Sequence, residues 1–394
     1  MSIKQQIKSI AIKGINATGV SSKYFGTPKG MMNTADWVKS RGKKFGASYN
    51  ELSPAKMLEQ KPPITLEKEV HKIYRDEYKY EQWPAFVATI PNGRVWGRNC
   101  AVITPDDILL KDVSREFGAY GGIMGEKHSV HRRLKLSNCT QVKGNVAVMG
   151  TAGCYNYGHW LFDTLPRVYL LQQAGVFDKI DYFVLDYTGL HFQKESIKAL
   201  GIPEEKIIRA NDLWKFHIEA ETLFVPALPA RLGTYGDWST PFLRETFLKR
   251  KLDKPVRIYL SRRKAPSRRP VNEEEVLAYL ESKGFIEFLA EDHTIEETAC
   301  YFASAEAVVG IHGSGSANFA FLSAGACAVD IIAPKHVDPY FWILCNFNKA
   351  QYAYLFGKGE RPPEGTDLVA LKIDEDLMID LNDLDILLKK MGIN

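Results

Sequence analysis

Three clusters of residues have the types and spacing to do chemistry. The first is Tyr155-Asn156-Tyr157-Gly158-His159-Trp160-Leu161-Phe162-Asp163-Thr164-Leu165-Pro166-Arg167. His159 and Asp163 are four apart, so a helix puts them on one face. An imidazole and a carboxylate so placed can work as a proton acceptor and the group that orients it. Tyr157 and Trp160 beside them offer flat faces on which sugar rings could stack. The second cluster is Gly310-Ile311-His312-Gly313-Ser314-Gly315-Ser316-Ala317-Asn318, between an expected strand and an expected helix. Small residues let its backbone bend sharply and bring N–H groups close to a ligand, and the helix N-terminus adds partial positive charge. That is an adequate phosphate cradle. It is not a P-loop, because no Gly-Lys-Ser/Thr follows. The third is Ser261-Arg262-Arg263-Lys264-Ala265-Pro266-Ser267-Arg268-Arg269, whose forked guanidinium donors suit a diphosphate.

The elements that must position these clusters follow from the apolar pattern. Residues 1–65 read as an N-terminal extension with one or two short helices, ending near Pro62 and Pro63. Residues 66–145 are a run of short strand segments separated by turn residues. From 145 strands alternate with helices: Val146–Met149, Trp160–Gln173, Tyr182–Leu185, Gln193–Leu200 and Thr222–Val225, then Thr240–Leu252 as a polar helix. A second alternation starts at Arg257–Leu260 and continues through Glu273–Lys283, Ile286–Leu289, Ile295–Ala303, Ala307–Gly310, Asn318–Leu322 and Ala328–Ile332. Short apolar strands alternating with helices predict doubly wound parallel sheets. The expected division is 1–65, 66–252 and 253–394. The basic loop and the His312 turn then fall at strand carboxyl ends, where open α/β sheets bind ligands.

The runs Gly-His-Trp-Leu-Phe-Asp-Thr-Leu-Pro-Arg from Gly158, Ser-Arg-Arg with Arg268-Arg269 and Asn272-Glu273, and His-Gly-x-Gly-x-x-Asn from His312 occur in one order. In this the chain resembles glycosyltransferase family 61, in its bacterial capsular-polysaccharide-type members, over about residues 85–335. The resemblance implies a GT-B fold, two Rossmann-like domains facing a cleft, here with a β-rich segment before the first. It implies an inverting transfer from a nucleotide-sugar to a glycan or lipid-linked acceptor in surface polysaccharide biosynthesis, with no cofactor and no metal. Carried over by motif, Arg262, Arg263 and Arg268 become diphosphate contacts, and His312, Gly313, Ser314, Gly315, Ser316 and Asn318 the nucleotide turn. Asp330 stands where the family usually has Glu and could bind ribose hydroxyls. Ser314 and Ser316 depart from the usual His-Gly-Ala-Gly-Leu/Met pattern. Tyr157 and Trp160 fall on the acceptor side. His159 or Asp163 would be the base; Asp163 is favoured because a carboxylate stays ionised across near-neutral pH.

Composition narrows the alternatives. A net charge of +4 over 394 residues is no nucleic-acid footprint. The six cysteines form no C-x-x-C pair and read as reduced thiols. No apolar run reaches the ~18 residues of a bilayer span, and Lys4, Lys8 and Lys13 interrupt any signal-peptide core. A cytoplasmic protein is expected. Ile3, Ile7, Ile10 and Ile15, with the lysines between them, are spaced for peripheral contact with an anionic membrane face. Asp374-Glu375-Asp376 and Asp383-Leu384-Asp385 match Asp-x-Asp but read as a helix start and a helix face. A nucleotide-sugar epimerase and a non-catalytic glycan-binding or assembly protein are the rival readings.

Overall fold

The computed structural model describes residues 10–12, 14–15, 17–118, 121–231, 234–363 and 375–394. The chain forms two compact units, Met1–Ala55 with Trp83–Pro229, and Lys56–Gln82 with Ala230–Asn394. Most of the basic N-terminal segment, including Ile3, Ile7, Lys4, Lys8 and Lys13, lies outside the described residues. No described helix is long and apolar enough to cross a membrane.

The first unit is built on a ten-stranded mixed sheet. Its strands are β1 (Gly30–Met32), β2 (Ser48–Ser53), β3 (Ala85–Pro91), β4 (Arg94–Trp96), β5 (Ala101–Ile103), β6 (Ile108–Leu110), β7 (Thr140–Val148), β8 (Tyr182–Leu185), β9 (Ile207–Arg209) and β10 (His217–Pro226). They run in the order β1-β6-β5-β4-β10-β7-β8-β9, and β3 joins β10 to β2. Within this, β10, β7, β8 and β9 are parallel. Their spatial order is 9-8-7-10, so the chain leaves β7 in one direction and later returns to its other side. The carboxyl ends of β7 and β10 therefore flank a topological switch point, the place where such sheets bind ligands. On the other side of β10 the strands β3 and β4 run antiparallel; their early position in the chain supplies the meander expected before 145.

The second unit holds a five-stranded sheet of β11 (Val256–Leu260), β12 (Phe285–Phe288), β13 (Ala305–Ile311), β14 (Cys327–Ile332) and β15 (Gln351–Phe356), in the order β12-β11-β13-β14-β15. Every pairing is parallel. Tyr259, Val309, Ile311, Val329, Ile331 and Ala353 pack in one cluster with Val276 and Leu280 of helix Glu273–Ser282 and Leu384, Leu387 and Leu388 of helix Leu381–Lys390. β14 is buried at every residue, as a parallel strand covered on both faces must be. Thr294 and Glu297 form a capping box that starts helix Ile295–Ala303. The switch point here lies between β11 and β13, which lead into the basic loop and the His312 turn.

The partition is not the linear one expected from sequence. Residues 1–65 are more than an extension, because β1 and β2 are strands of the first sheet. Residues 56–82 sit with the second unit, where the buried Tyr74 stacks on Tyr354 at 4.8 Å and meets Trp342 edge-on at 5.4 Å. Helix Ser239–Phe247 belongs there too. Its Arg244 Nη1 donates to the carbonyls of Ala320 and Leu322 at 3.3 and 3.0 Å, capping the 3-10 helix Ser314–Phe321.

Candidate active site

In the first unit the segment after β7 turns at Gly153 and enters a helical turn, Tyr157–His159. Asn156 caps it, its side chain accepting from the N–H groups of Gly158 and His159. The helix then widens into a π-turn, Trp160–Thr164, with Leu165 N–H donating to Trp160 O at 3.0 Å, before α-helix Pro166–Gln173. Pro166 accounts for the widening: it has no N–H, and its ring would crowd the carbonyl four residues back. Such π-turns recur at functional sites.

His159 and Asp163 meet as the spacing requires, Nδ1 to Oδ2 at 2.7 Å. Their environments are unequal. Asp163 is buried and its other oxygen pairs with Arg115 Nη2 at 2.9 Å. Burial alone would raise its pKa, but the Arg115 charge and the His159 hydrogen bond outweigh it and hold the carboxyl below its usual value. His159 keeps 27% of its side chain exposed against 10% for Asp163. An ionised Asp163 accepts the Nδ1 proton and leaves Nε2 of the ring as the basic atom. Of the two, the imidazole is the more accessible group, and Asp163 is enclosed between Arg115 and His159. The His159 ring rests against Phe117, with centroids 5.0 Å apart. A Cβ on Gly153, which has φ +89, would come within 2.9 Å of both rings, so only glycine fits there.

The aromatic residues do not all serve as expected. Trp160 has no exposed surface and donates from Nε1 to Ser196 Oγ at 2.8 Å; its face is core and closed to a sugar. Tyr157 is half-buried and packs edge-on to Phe192. Arg167 is fully buried and holds the two strand ends of the switch point together. Its Nη1 donates to Gly150 O at 2.9 Å, after β7, and its Nη2 to Pro226 O at 2.6 Å, the end of β10.

In the second unit the two glycine- and arginine-bearing segments come together at the β11/β13 switch point. Arg268 Nη1 donates to His312 O at 3.1 Å. The Arg262 guanidinium lies on Gly313, where any Cβ would collide with it, and is braced by the carbonyls of Ser267 and Arg268. The Ser314–Phe321 helix starts here, so its first N–H groups point out of the helix. Ser314 and Gly315 are partly exposed, while Ser316 and Asn318 are buried, the Asn318 amide donating to Gly315 O at 2.9 Å. Arg263 does not join this group. It is exposed and pairs with Glu274 and Glu287, while Lys264 pairs with Asp292 and Arg269 with Asp376.

His312 and Asp330 also differ from expectation. The His312 ring is buried beneath the turn, with Nδ1 2.7 Å from Asp330 Oδ2 and Nε2 2.9 Å from Asp338 Oδ2. Burial would lower its pKa, but the two carboxylates raise it to about 10, so it is an imidazolium at neutral pH. Asp330 has no exposed surface and also accepts from Tyr352 Oη at 2.9 Å; no ribose hydroxyl has access to it. Its work is to hold His312. His336 lies 3.2 Å from Asp338 Oδ2, and His312, His336 and Asp338 are close enough for one ion. The ion pair of His312 with Asp338 already accounts for that closeness. Of the Asp-x-Asp runs, Asp383 and Asp385 lie in helix Leu381–Lys390, where Asp385 accepts from Tyr279 Oη at 2.6 Å. Glu375 and Asp376 are outside any helix, and Asp374 is outside the described residues.

Arg115, Phe117, Gly153 and Asp338 were not singled out from sequence. Arg115 and Phe117 come from a segment about 45 residues upstream of the motif they serve, and no local pattern marks them.

Residues 157–329 match the family model described as Glycosyltransferase 61. No curated protein matches the chain. Among solved structures the chain is similar to a crystal structure of dodecameric iron-containing heptosyltransferase TibC in complex with ADP-D-beta-D-heptose, at 11% identity over 79% of this chain and 94% of that one, with a TM-score of 0.29. At that score the assignment rests on the family match. The matched segment starts at the turn carrying His159 and runs through the basic loop and the His312 turn. The match over residues 157–329 marks this stretch as a glycosyltransferase family 61 segment and supports a glycosyltransferase enzyme.

Proposed function

We propose that the protein moves a sugar, with inversion, from a nucleotide-sugar to a hydroxyl of a glycan or lipid-linked acceptor, in the manner of a GT-B enzyme of surface polysaccharide biosynthesis at the cytoplasmic membrane face. The observation that carries this reading is the convergence of Arg262, Arg268 and the Gly313–Gly315 backbone at the β11/β13 switch point. That is a diphosphate seat built of forked cations and helix-start N–H groups. In the reaction the acceptor oxygen bonds to the anomeric carbon from the face opposite the leaving group. The carbon–oxygen bond to the diphosphate breaks, and the diphosphate departs with the bonding electron pair. Nε2 of His159 takes the acceptor's hydroxyl proton, and Asp163 stabilises the resulting imidazolium. Arg262, Arg268 and the turn offset the charge that develops on the diphosphate. With that charge work done by side chains and backbone, no metal is required, and His312 acts from below as the fixed cation that holds the turn.

The test is a panel of nucleotide-sugars assayed for binding by calorimetry and for transfer to glycan acceptors, with and without excess chelator. Saturable binding of one donor, with transfer that survives chelator, is the expected result. Donor turnover without any acceptor would mark an epimerase instead. Transfer abolished by chelator and restored by magnesium or manganese would overturn the metal-free mechanism.

A further inference from the structure

We infer that the first unit carries a separate sugar seat, a cavity of about 450 Å³ beside the carboxyl end of β10, that binds a neutral pyranose ring of the acceptor glycan. The inference rests on the glycosyltransferase reading above. Its wall combines aromatic faces with planar polar groups. Tyr49 and Phe86 lie together, with ring centroids 4.7 Å apart, and Trp83 completes the aromatic side. Asp36 and Lys111 supply the polar side, with Asp112 behind them, its oxygens accepting from the N–H and hydroxyl of Thr34. This is the chemistry a pyranose requires: flat apolar C–H faces against rings, and hydroxyls bonded by a carboxylate, here Asp36, and by an ammonium, here Lys111. Cavities of this size with few placed polar groups are the ordinary form of small-molecule sites.

Several of these groups have bonding capacity left over. Among the described residues no hydrogen bond reaches the Tyr49 hydroxyl or the Trp83 indole N–H, and no carboxylate pairs with Lys111 Nζ. Burial, followed by the charges of Glu51 and Asp112, pushes the Tyr49 hydroxyl up to about 12, so it stays a neutral donor. Asp36 at the open edge of the wall is the carboxylate that would repel an anionic sugar.

Chain continuity ties this seat to His159. Lys111 and Asp112 line the cavity, Arg115 pairs with Asp163, Phe117 supports the His159 ring, and Met124 returns to the cavity wall. The described residues 111–118 and 121–124 of one segment thus serve both places. Ala227 and Leu228 on the cavity wall directly follow Pro226, whose carbonyl Arg167 joins to that of Gly150 at the end of β7. The seat and the proposed base therefore lie on one rim of one sheet.

Saturation-transfer NMR on the full chain tests the proposal. The probes are methyl β-D-glucopyranoside, methyl β-D-galactopyranoside, N-acetylglucosamine, lactose and glucuronate, with nucleoside-diphosphate binding measured on the same samples. Transfer to the ring protons of at least one neutral sugar is expected. It should fall about threefold or more in both Trp83→Ala and the exposed-site variant Asp36→Ala, with nucleotide affinity unchanged. Absence of transfer from every neutral sugar, equal transfer in both variants, or a preference for glucuronate would overturn the seat. If sugar binding behaves as expected but no nucleoside diphosphate binds, the donor reading fails and the seat stands.

Discussion

At the scale of single residues, the site is decided by how charge is distributed between neighbours. Asp163 carries the charge and Arg115 confines it; in the proposed mechanism the partly exposed imidazole of His159 is left to exchange protons. His159→Ala should lower the turnover number about a hundredfold or more with nucleoside-diphosphate affinity unchanged, because the proposed diphosphate seat is built from residues of the second unit. Asp163→Asn should also slow turnover, by losing the acceptor that fixes the ring. If His159→Ala kept near-normal turnover while Asp163→Asn lost it, the carboxylate would be the base after all. The donor side gives a matched pair. Arg262→Ala should weaken nucleoside-diphosphate affinity by roughly ten- to a hundredfold, the worth of one charge-assisted bond. Arg263→Ala, which breaks only exposed pairs with Glu274 and Glu287, should leave it nearly unchanged. Calorimetry giving equal losses for both would mean that the loop rearranges around the ligand.

At the scale of elements, the two sheets explain which parts could be read from the chain. β11 to β14 stand within two residues of their expected ends; β13 and β14 are near-continuous buried apolar runs bounded by helices, and the edge strand β12 still carries buried Phe285 and Phe288. β2 reads Ser-Tyr-Asn-Glu-Leu-Ser and, among the described residues, pairs only with β3; an exposed edge strand has no apolar run to betray it. The order of motifs brought Arg262, Arg268 and the His312 turn to one place. It could not tell a tryptophan that stacks on a sugar from one that fills the core, and Trp160 is the latter. Nor could it assign Arg167, which is a strut between two strand ends. Replacing it by methionine strands the carbonyls of Gly150 and Pro226 in the interior. Two unsatisfied buried acceptors should cost about 2–5 kcal/mol, read as a lower denaturant midpoint at unchanged slope. A loss below about 0.5 kcal/mol, the size of an ordinary surface change, would show that water or a neighbour replaces the strut.

For the whole molecule, the buried imidazolium makes stability depend on pH in a stated direction. Folded, His312 holds its proton to about pH 10 between Asp330 and Asp338; unfolded, it releases it near its ordinary value of ~6.5. Its contribution is therefore complete below about pH 6.5 and lost as pH climbs to about 10, the window in which only the folded chain binds the proton. Asp338 works in the opposite sense. Burial opposes its charge, but His312 lowers its pKa, so its contribution is present above the unfolded carboxylate value and disappears in acid. The buried thiols of Cys100, Cys154 and Cys345 also favour unfolding at alkaline pH, since burial raises each of them, so the wild-type slope alone does not isolate the histidine. Asp338→Asn does, because the cysteines are common to both proteins. Removing one carboxylate lets His312 lose its proton at a lower pH. The melting-temperature gap between wild type and Asp338→Asn should be widest near pH 6.5 and close as the pH approaches 10. A gap that stays constant from pH 6.5 to 9.5 would mean that His312 is neutral beneath the turn, and the fixed cation supporting the diphosphate seat would have to be withdrawn.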